Sequence, residues 1–141
     1  MKNLKLLTIL LASIISIGSC SKEDVLTQNY NVKLEEAFDL KINEEATVPE
    51  RSLSVKVTDV LEDSRCPEFG MCVWEGQVRL EVEISDNLVI STEEIIYRAG
   101  KDLPLELGNY IFSLRQVTPD NQIDEVIELN DYTFTFFIER K

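Results

Sequence analysis

A chain of 141 residues with 26 acidic and 14 basic side chains, a formal net charge of −12 and no histidine excludes several functions at the outset. Nucleic acid and anionic lipid surfaces are bound through basic patches that release counterions, so neither is expected as a partner. The missing histidine removes the commonest general base and metal ligand, and the length suits one domain around a single core.

The chain opens with Lys2 and Lys5, continues through an apolar run from Leu6 to Ile17, and reaches the small residues Gly18 and Ser19 just before Cys20. This is the pattern of a secretory signal, and the apolar run is too short to span a bilayer as a helix. Ile17-Gly18-Ser19-Cys20 resembles the lipobox of bacterial lipoproteins. That resemblance implies a signal peptide over residues 1–19, cleavage before Cys20, and acyl chains on Cys20 that anchor the protein to a membrane without crossing it. The polar, aperiodic stretch of residues 20–31 then reads as lipidated cysteine and tether, and residues 32–141 as a single domain. Cysteine arithmetic agrees, since three cysteines leave one odd thiol and acylation of Cys20 removes it; the alternative is an ordinary cleaved signal with a leftover thiol. Ser21 stands where aspartate would imply retention at the inner membrane. Lys22-Glu23-Asp24 is similar to the charged tether used for surface display. Both imply the outer membrane, on its periplasmic or surface face.

Beyond the tether the period is two. Phe38, Leu40 and Ile42 alternate with Asp39 and Lys41 before a turn at Asn43-Glu44-Glu45, and a strand from Ser52 to Leu61 breaks its alternation at Asp59-Val60, where a bulge or the strand end before the cysteine loop is expected. Cys66 and Cys72 are too far apart for the C-x-x-C redox motif and have no further cysteine or histidine for a zinc site, so a structural disulfide fits best. Closing so short a loop stabilises by roughly 2 kcal/mol. From Trp74 to Ile84 the even positions are Trp74, Gly76, Val78, Leu80, Val82 and Ile84, and the odd ones Glu75, Gln77, Arg79, Glu81 and Glu83. This predicts one strand with Trp74 and Cys72 on its core side; a ligand-stacking platform is the other reading of Trp74.

Asp86-Asn87 is expected to turn the chain into a strand over Leu88–Ile90, with a further short strand at Ile95–Tyr97 ending at Ala99–Asp102. Pro104 to Gly108 reads as a connection, Tyr110, Phe112 and Leu114 as one face of the next strand, and Ile123, Val126 and Ile127 as a helical turn or two. Tyr132, Phe134, Phe136 and Ile138 form the inner face of the last strand, with Phe137 on the other side. Seven or eight such strands predict an all-β, antiparallel immunoglobulin-like sandwich, with a small closed barrel as the alternative. Leu105-x-x-Gly108-x-Tyr110 resembles the tyrosine corner of those sandwiches, although Phe112 replaces the cysteine of the antibody-type bridge.

The stretch Asp63-Ser64-Arg65-Cys66-Pro67 followed by Cys72-x-Trp74-x-Gly76 resembles a signature of small, largely uncharacterised exported β-domain proteins of bacteria. The resemblance implies an exported, disulfide-bearing β-domain and no particular activity.

No phosphate-binding glycine loop or nucleophile elbow is present. The acid pairs Glu35-Glu36, Glu44-Glu45 and Glu93-Glu94 put adjacent carboxylates on opposite strand faces, so none acts as a glycosidase pair. Asp120-Asn121-Gln122-Ile123-Asp124-Glu125 lacks the glycine and spacing of an EF-hand and reads as a capped turn, leaving no metal or cofactor expected. Arg65 is expected to pair with Asp63 or Glu75 on the surface, for less than about 1 kcal/mol. Phe69, Gly70 and Met71 form the candidate binding loop: either Phe69 and Met71 stand out as a preorganised contact, or they fold under and plug the sandwich end. The expected protein is a lipid-anchored, non-enzymatic envelope module that binds an envelope protein or stabilises an assembly. The alternative is a small envelope hydrolase using acidic residues.

Overall fold

The computed structural model describes residues 28–141. Alternating apolar residues build β1 (Asn29–Asn31), β2 (Ala37–Leu40), β3 (Glu45–Val48), β4 (Leu53–Asp63), β5 (Val78–Asp86), β6 (Val89–Tyr97), β7 (Leu105–Leu107), β8 (Tyr110–Thr118) and β9 (Thr133–Arg140). These form one sheet in the order β1-β3-β4-β5-β6 and a second in the order β2-β9-β8-β7. Strand neighbours are antiparallel except β1, which runs parallel to β3. The expected all-β sandwich forms, and neither sheet closes into a barrel.

The period of two decides what fills the space between the sheets. Val55 and Val57 of β4 and Val78, Leu80, Val82 and Ile84 of β5 share one core with Phe112 of β8 and Phe134, Phe136 and Ile138 of β9. Burying each such side chain contributes on the order of 1.5–3 kcal/mol. The pairing of β4 with β5 shifts register between Val57 and Asp59 and again between Val60 and Glu62, so the strand does not end at Asp59-Val60 but is bulged on either side of that pair. Bulges sharpen local twist, and these bend the end of β4 just before the cysteine loop.

Several elements differ from expectation. Residues 29–31, assigned to the tether, pair as β1, whereas the signal peptide, Cys20 and the tether up to Thr27 lie outside the described residues. The strand expected from Trp74 begins at Val78, because Ser64 and Cys66 bond to the carbonyls of Gln77 and Glu75 across the neck of a loop before the ladder starts. The two strands expected at Leu88–Ile90 and Ile95–Tyr97 are one, β6, whose polar centre is held by an unbroken ladder to β5. β7 lies inside the expected connection from Pro104 to Gly108. No helix forms at Ile123–Ile127: Ile123 and Val126 are exposed, leaving no apolar stripe to bury, and only a 3-10 turn follows at Leu129–Asp131. Among the described residues Tyr110 makes no hydroxyl hydrogen bond, so the tyrosine-corner contact is not formed. Phe137, on the outer face, lies 5.1 Å beneath the guanidinium of Arg115.

Candidate functional site

Three connections gather at the end of the sandwich where β4, β6 and β8 finish: residues 64–77, 98–104 and 119–132. The first contains Cys66 and Cys72, which are disulfide-bonded with their Cα atoms 5.9 Å apart. It is organised from below by a polar cluster rather than by apolar packing.

Arg65 and Asp63 form that cluster's centre. Arg65 Nε donates to Asp63 Oδ1 at 3.0 Å and Nη2 to Oδ2 at 2.7 Å, a bidentate pair in which each side chain is only 9% exposed. The remaining donor, Nη1, reaches the carbonyl of Val117 in β8 at 2.8 Å. The Tyr132 hydroxyl donates to Asp63 Oδ2 at 2.9 Å, and the Asn121 amide donates to the Arg65 carbonyl at 2.9 Å. One ion pair therefore ties the cysteine loop to both sheets and to the 119–132 loop. The surface pair expected from the sequence is instead a buried one. Burial alone would raise the Asp63 carboxyl, but hydrogen bonds from Arg65 and Tyr132 outweigh it and hold the group below the usual carboxylate range. Burial, reinforced by the bond to Asp63, pushes Tyr132 up to about 12.

Backbone contacts complete the lock. Gly76 has φ +72°, and a Cβ built there would lie 1.9 Å from the Ser64 carbonyl oxygen, so only glycine lets these two segments cross. The Glu68 N–H donates to the Asn121 carbonyl at 2.8 Å, and the Gln122 amide donates to the Glu68 carboxylate at 3.0 Å. Lys101 meets Glu75 at 2.7 Å from the third loop.

On this base the tip points outward. Phe69 is 88% exposed and Met71 fully exposed, as is Val73, which the sequence reading missed. Both candidate contact side chains are thus presented and do not plug the sandwich, while Gly70 sits half-buried beneath them. Phe69 holds φ +66°, a left-handed conformation that costs a non-glycine residue roughly 1–2 kcal/mol. Trp74 is 48% exposed and Cys72 is exposed, which corrects the core positions assigned to both. Parity carried no information here because Trp74 precedes the strand. Trp74→Ala is consequently expected to cost less than about 1 kcal/mol in chemical denaturation, where a buried indole would cost about 3–5 kcal/mol.

No group of metal-ligating side chains occurs among the described residues. Asp120 lies 3.9 Å from Arg65 and Gln122 binds Glu68, so the acidic segment serves as a wall of the site. One member of each acid pair is engaged elsewhere: Glu94 chelates Arg79, Glu44 accepts from the Lys41 N–H and the Tyr30 hydroxyl, and Glu36 lies 3.8 Å from Lys33. The roles of Asn121 and Tyr132 in this cluster were not visible in the sequence; an Asn after an aspartate and a Tyr just before a strand are signals too common to find them. No protein-family model matches the chain, and neither a curated protein nor a solved structure matches it.

Proposed function

We propose that this protein is a lipid-anchored, non-enzymatic binding module of the cell envelope, held to the outer membrane through Cys20 and contacting an envelope protein with the tip of the Cys66–Cys72 loop. The observation that carries this reading is the exposure of Phe69, Met71 and Val73 on a loop fixed by a disulfide, a buried ion pair and a backbone crossing. Apolar side chains standing in water on an immobile backbone lose stability for the monomer and favour association, because little ordering cost remains at contact. The left-handed Phe69 backbone adds to this, since strain of that kind persists only where the surrounding structure over-determines it.

The test is a photo-crosslinking side chain at position 71 in intact cells, read together with mass spectrometry of the mature N-terminus. The expected result is an acylated Cys20 and a discrete crosslinked partner. Replacing Phe69, Met71 and Val73 together by serine should lower capture at least tenfold while moving the melting temperature by less than about 2 °C, the size of a surface change. Unchanged capture would remove the loop tip from the interface, and an unmodified N-terminus would remove the anchor.

A further inference from the structure

The chain leaves β1 in one sheet at Asn31 and enters β2 in the other at Ala37, so residues 32–36 cross the end of the sandwich opposite the cysteine loop, where β9 finishes and β4 begins. Backbone bonds pin this crossing: the Val32 N–H donates to the Thr47 carbonyl at 2.9 Å and the Glu35 N–H to the Ile138 carbonyl at 2.8 Å. The 3-10 turn Pro49–Arg51 joins β3 to β4 at the same end. These two segments and Arg140 of β9 line a cleft of about 590 Å³. Small-molecule sites span roughly 300–1,000 Å³ and are mostly apolar inside, and Val32, Leu34, Val48 and Pro49 supply that lining here.

Among the described residues four of the six arginines have a side-chain partner: Arg65 binds Asp63, Arg79 binds Glu62 and Glu94, Arg98 binds Gln77, and Arg115 binds Asp102. The two without one, Arg51 and Arg140, both line this cleft. Its own carboxylates do not occupy them. Glu50 precedes Arg51 on the 3-10 turn, where successive side chains diverge by about 120°, and among the described residues neither Glu50 nor Glu35 forms an ion pair. Lys33 reaches only Glu36, at 3.8 Å and well exposed to solvent. Lys33, Arg51 and Arg140 set against Glu35 and Glu50 leave the lining with one net positive charge, in a chain whose net charge is −12. That surplus suits a monoanion, and the two acids repel anything more highly charged. A planar guanidinium fork matches the geometry of a carboxylate. We propose that this cleft binds a small molecule carrying one carboxylate on an apolar body, with Arg51 and Arg140 donating to the carboxylate and Val32, Leu34, Val48 and Pro49 covering the body. The site lies at the far end of the sandwich from the cysteine loop and stands whether or not that loop binds anything.

The experiment uses the full protein purified from membranes, with octanoate, 4-phenylbutyrate and N-acetylphenylalaninate as probes and the matching carboxamide of each as its control, read by hydrogen exchange. At saturation at least one carboxylate should slow exchange within residues 31–35 and 48–52 at least threefold, with residues 64–77 unaffected. Its carboxamide, which keeps the body and loses the charge, should bind at least tenfold more weakly. Acetate and inorganic phosphate, which lack the apolar body, should protect neither segment. Arg51→Gln and Arg140→Gln should each weaken binding at least tenfold at an unchanged melting temperature, since both side chains are exposed and unpartnered, whereas Glu50→Gln should not weaken it. Protection by none of the three carboxylates, equal binding of the carboxamide, protection by phosphate, binding indifferent to both arginines, or protection of these segments by self-association without a probe would each overturn the proposal.

Discussion

Gly76→Ala should destabilise the domain by about 3–5 kcal/mol, the range reserved for strain or clashes that the structure cannot relax. The residue is buried at φ +72°, so a side chain there first costs roughly 1–2 kcal/mol for the left-handed backbone. The larger part is steric: besides the Ser64 oxygen at 1.9 Å, the added carbon would lie 2.6 Å from the Ser64 carbonyl carbon and 2.8 Å from Arg65 Cα. These are backbone atoms, which cannot rotate aside. Relief requires moving Ser64 and Arg65 together, which draws the guanidinium off Asp63 and couples the clash to the ion pair. Gly100→Ala supplies the control, because Gly100 shares φ +72° but has open space where its Cβ would stand. It should cost only the conformational part. Chemical denaturation of both variants measures the difference, and a gap below about 1 kcal/mol would mean that the crossing at Gly76 is not rigid.

The sandwich was legible in the sequence because its core is local information: the alternation in Val78–Ile84 and Phe134–Ile138 states which face is inward without reference to any other strand. The cysteine loop was legible in part. Its disulfide follows from counting cysteines, but the orientation of Trp74 does not follow from parity, since the alternation runs back through residues that never join the ladder. The Asp63–Arg65 pair was visible as an adjacency, and its burial was not. What buries it is the arrival of Val117, Asn121 and Tyr132, residues 52, 56 and 69 positions further along the chain. The D-S-R-C-P and C-x-W-x-G elements thereby acquire physical meanings. Asp63 and Arg65 anchor the loop, the cysteines close it, and Gly76 lets its two ends cross.

Asp63→Asn should cost about 3 kcal/mol, the lower end of the range for leaving one partner of a buried ion pair uncompensated. With its oxygen in the Oδ2 place the amide can keep the bonds from Tyr132 and Arg65 Nη2, but its NH2 then faces Arg65 Nε, and the guanidinium charge is left with only the solvent-exposed carboxylate of Asp120, 3.9 Å away. Removing the stranded charge as well, in Asp63→Asn with Arg65→Met, should recover part of that loss, because an apolar side chain in the same space carries no desolvation penalty. The pH dependence identifies the same pair independently. A carboxyl whose folded pKa lies below its unfolded value contributes stability above the ordinary aspartate value near 3.9, and loses it as pH falls through the lower folded value. Tyr132 has the opposite sign: its raised value contributes stability below pH 10 and loses it as pH climbs toward about 12. The wild-type protein should therefore hold a plateau between about pH 4 and pH 10, and Asp63→Asn should flatten the acid limb. Denaturation midpoints measured across that range decide the matter. A loss under about 1 kcal/mol with an unchanged acid limb would mean that water reaches Arg65 and that the ion pair does not hold the loop.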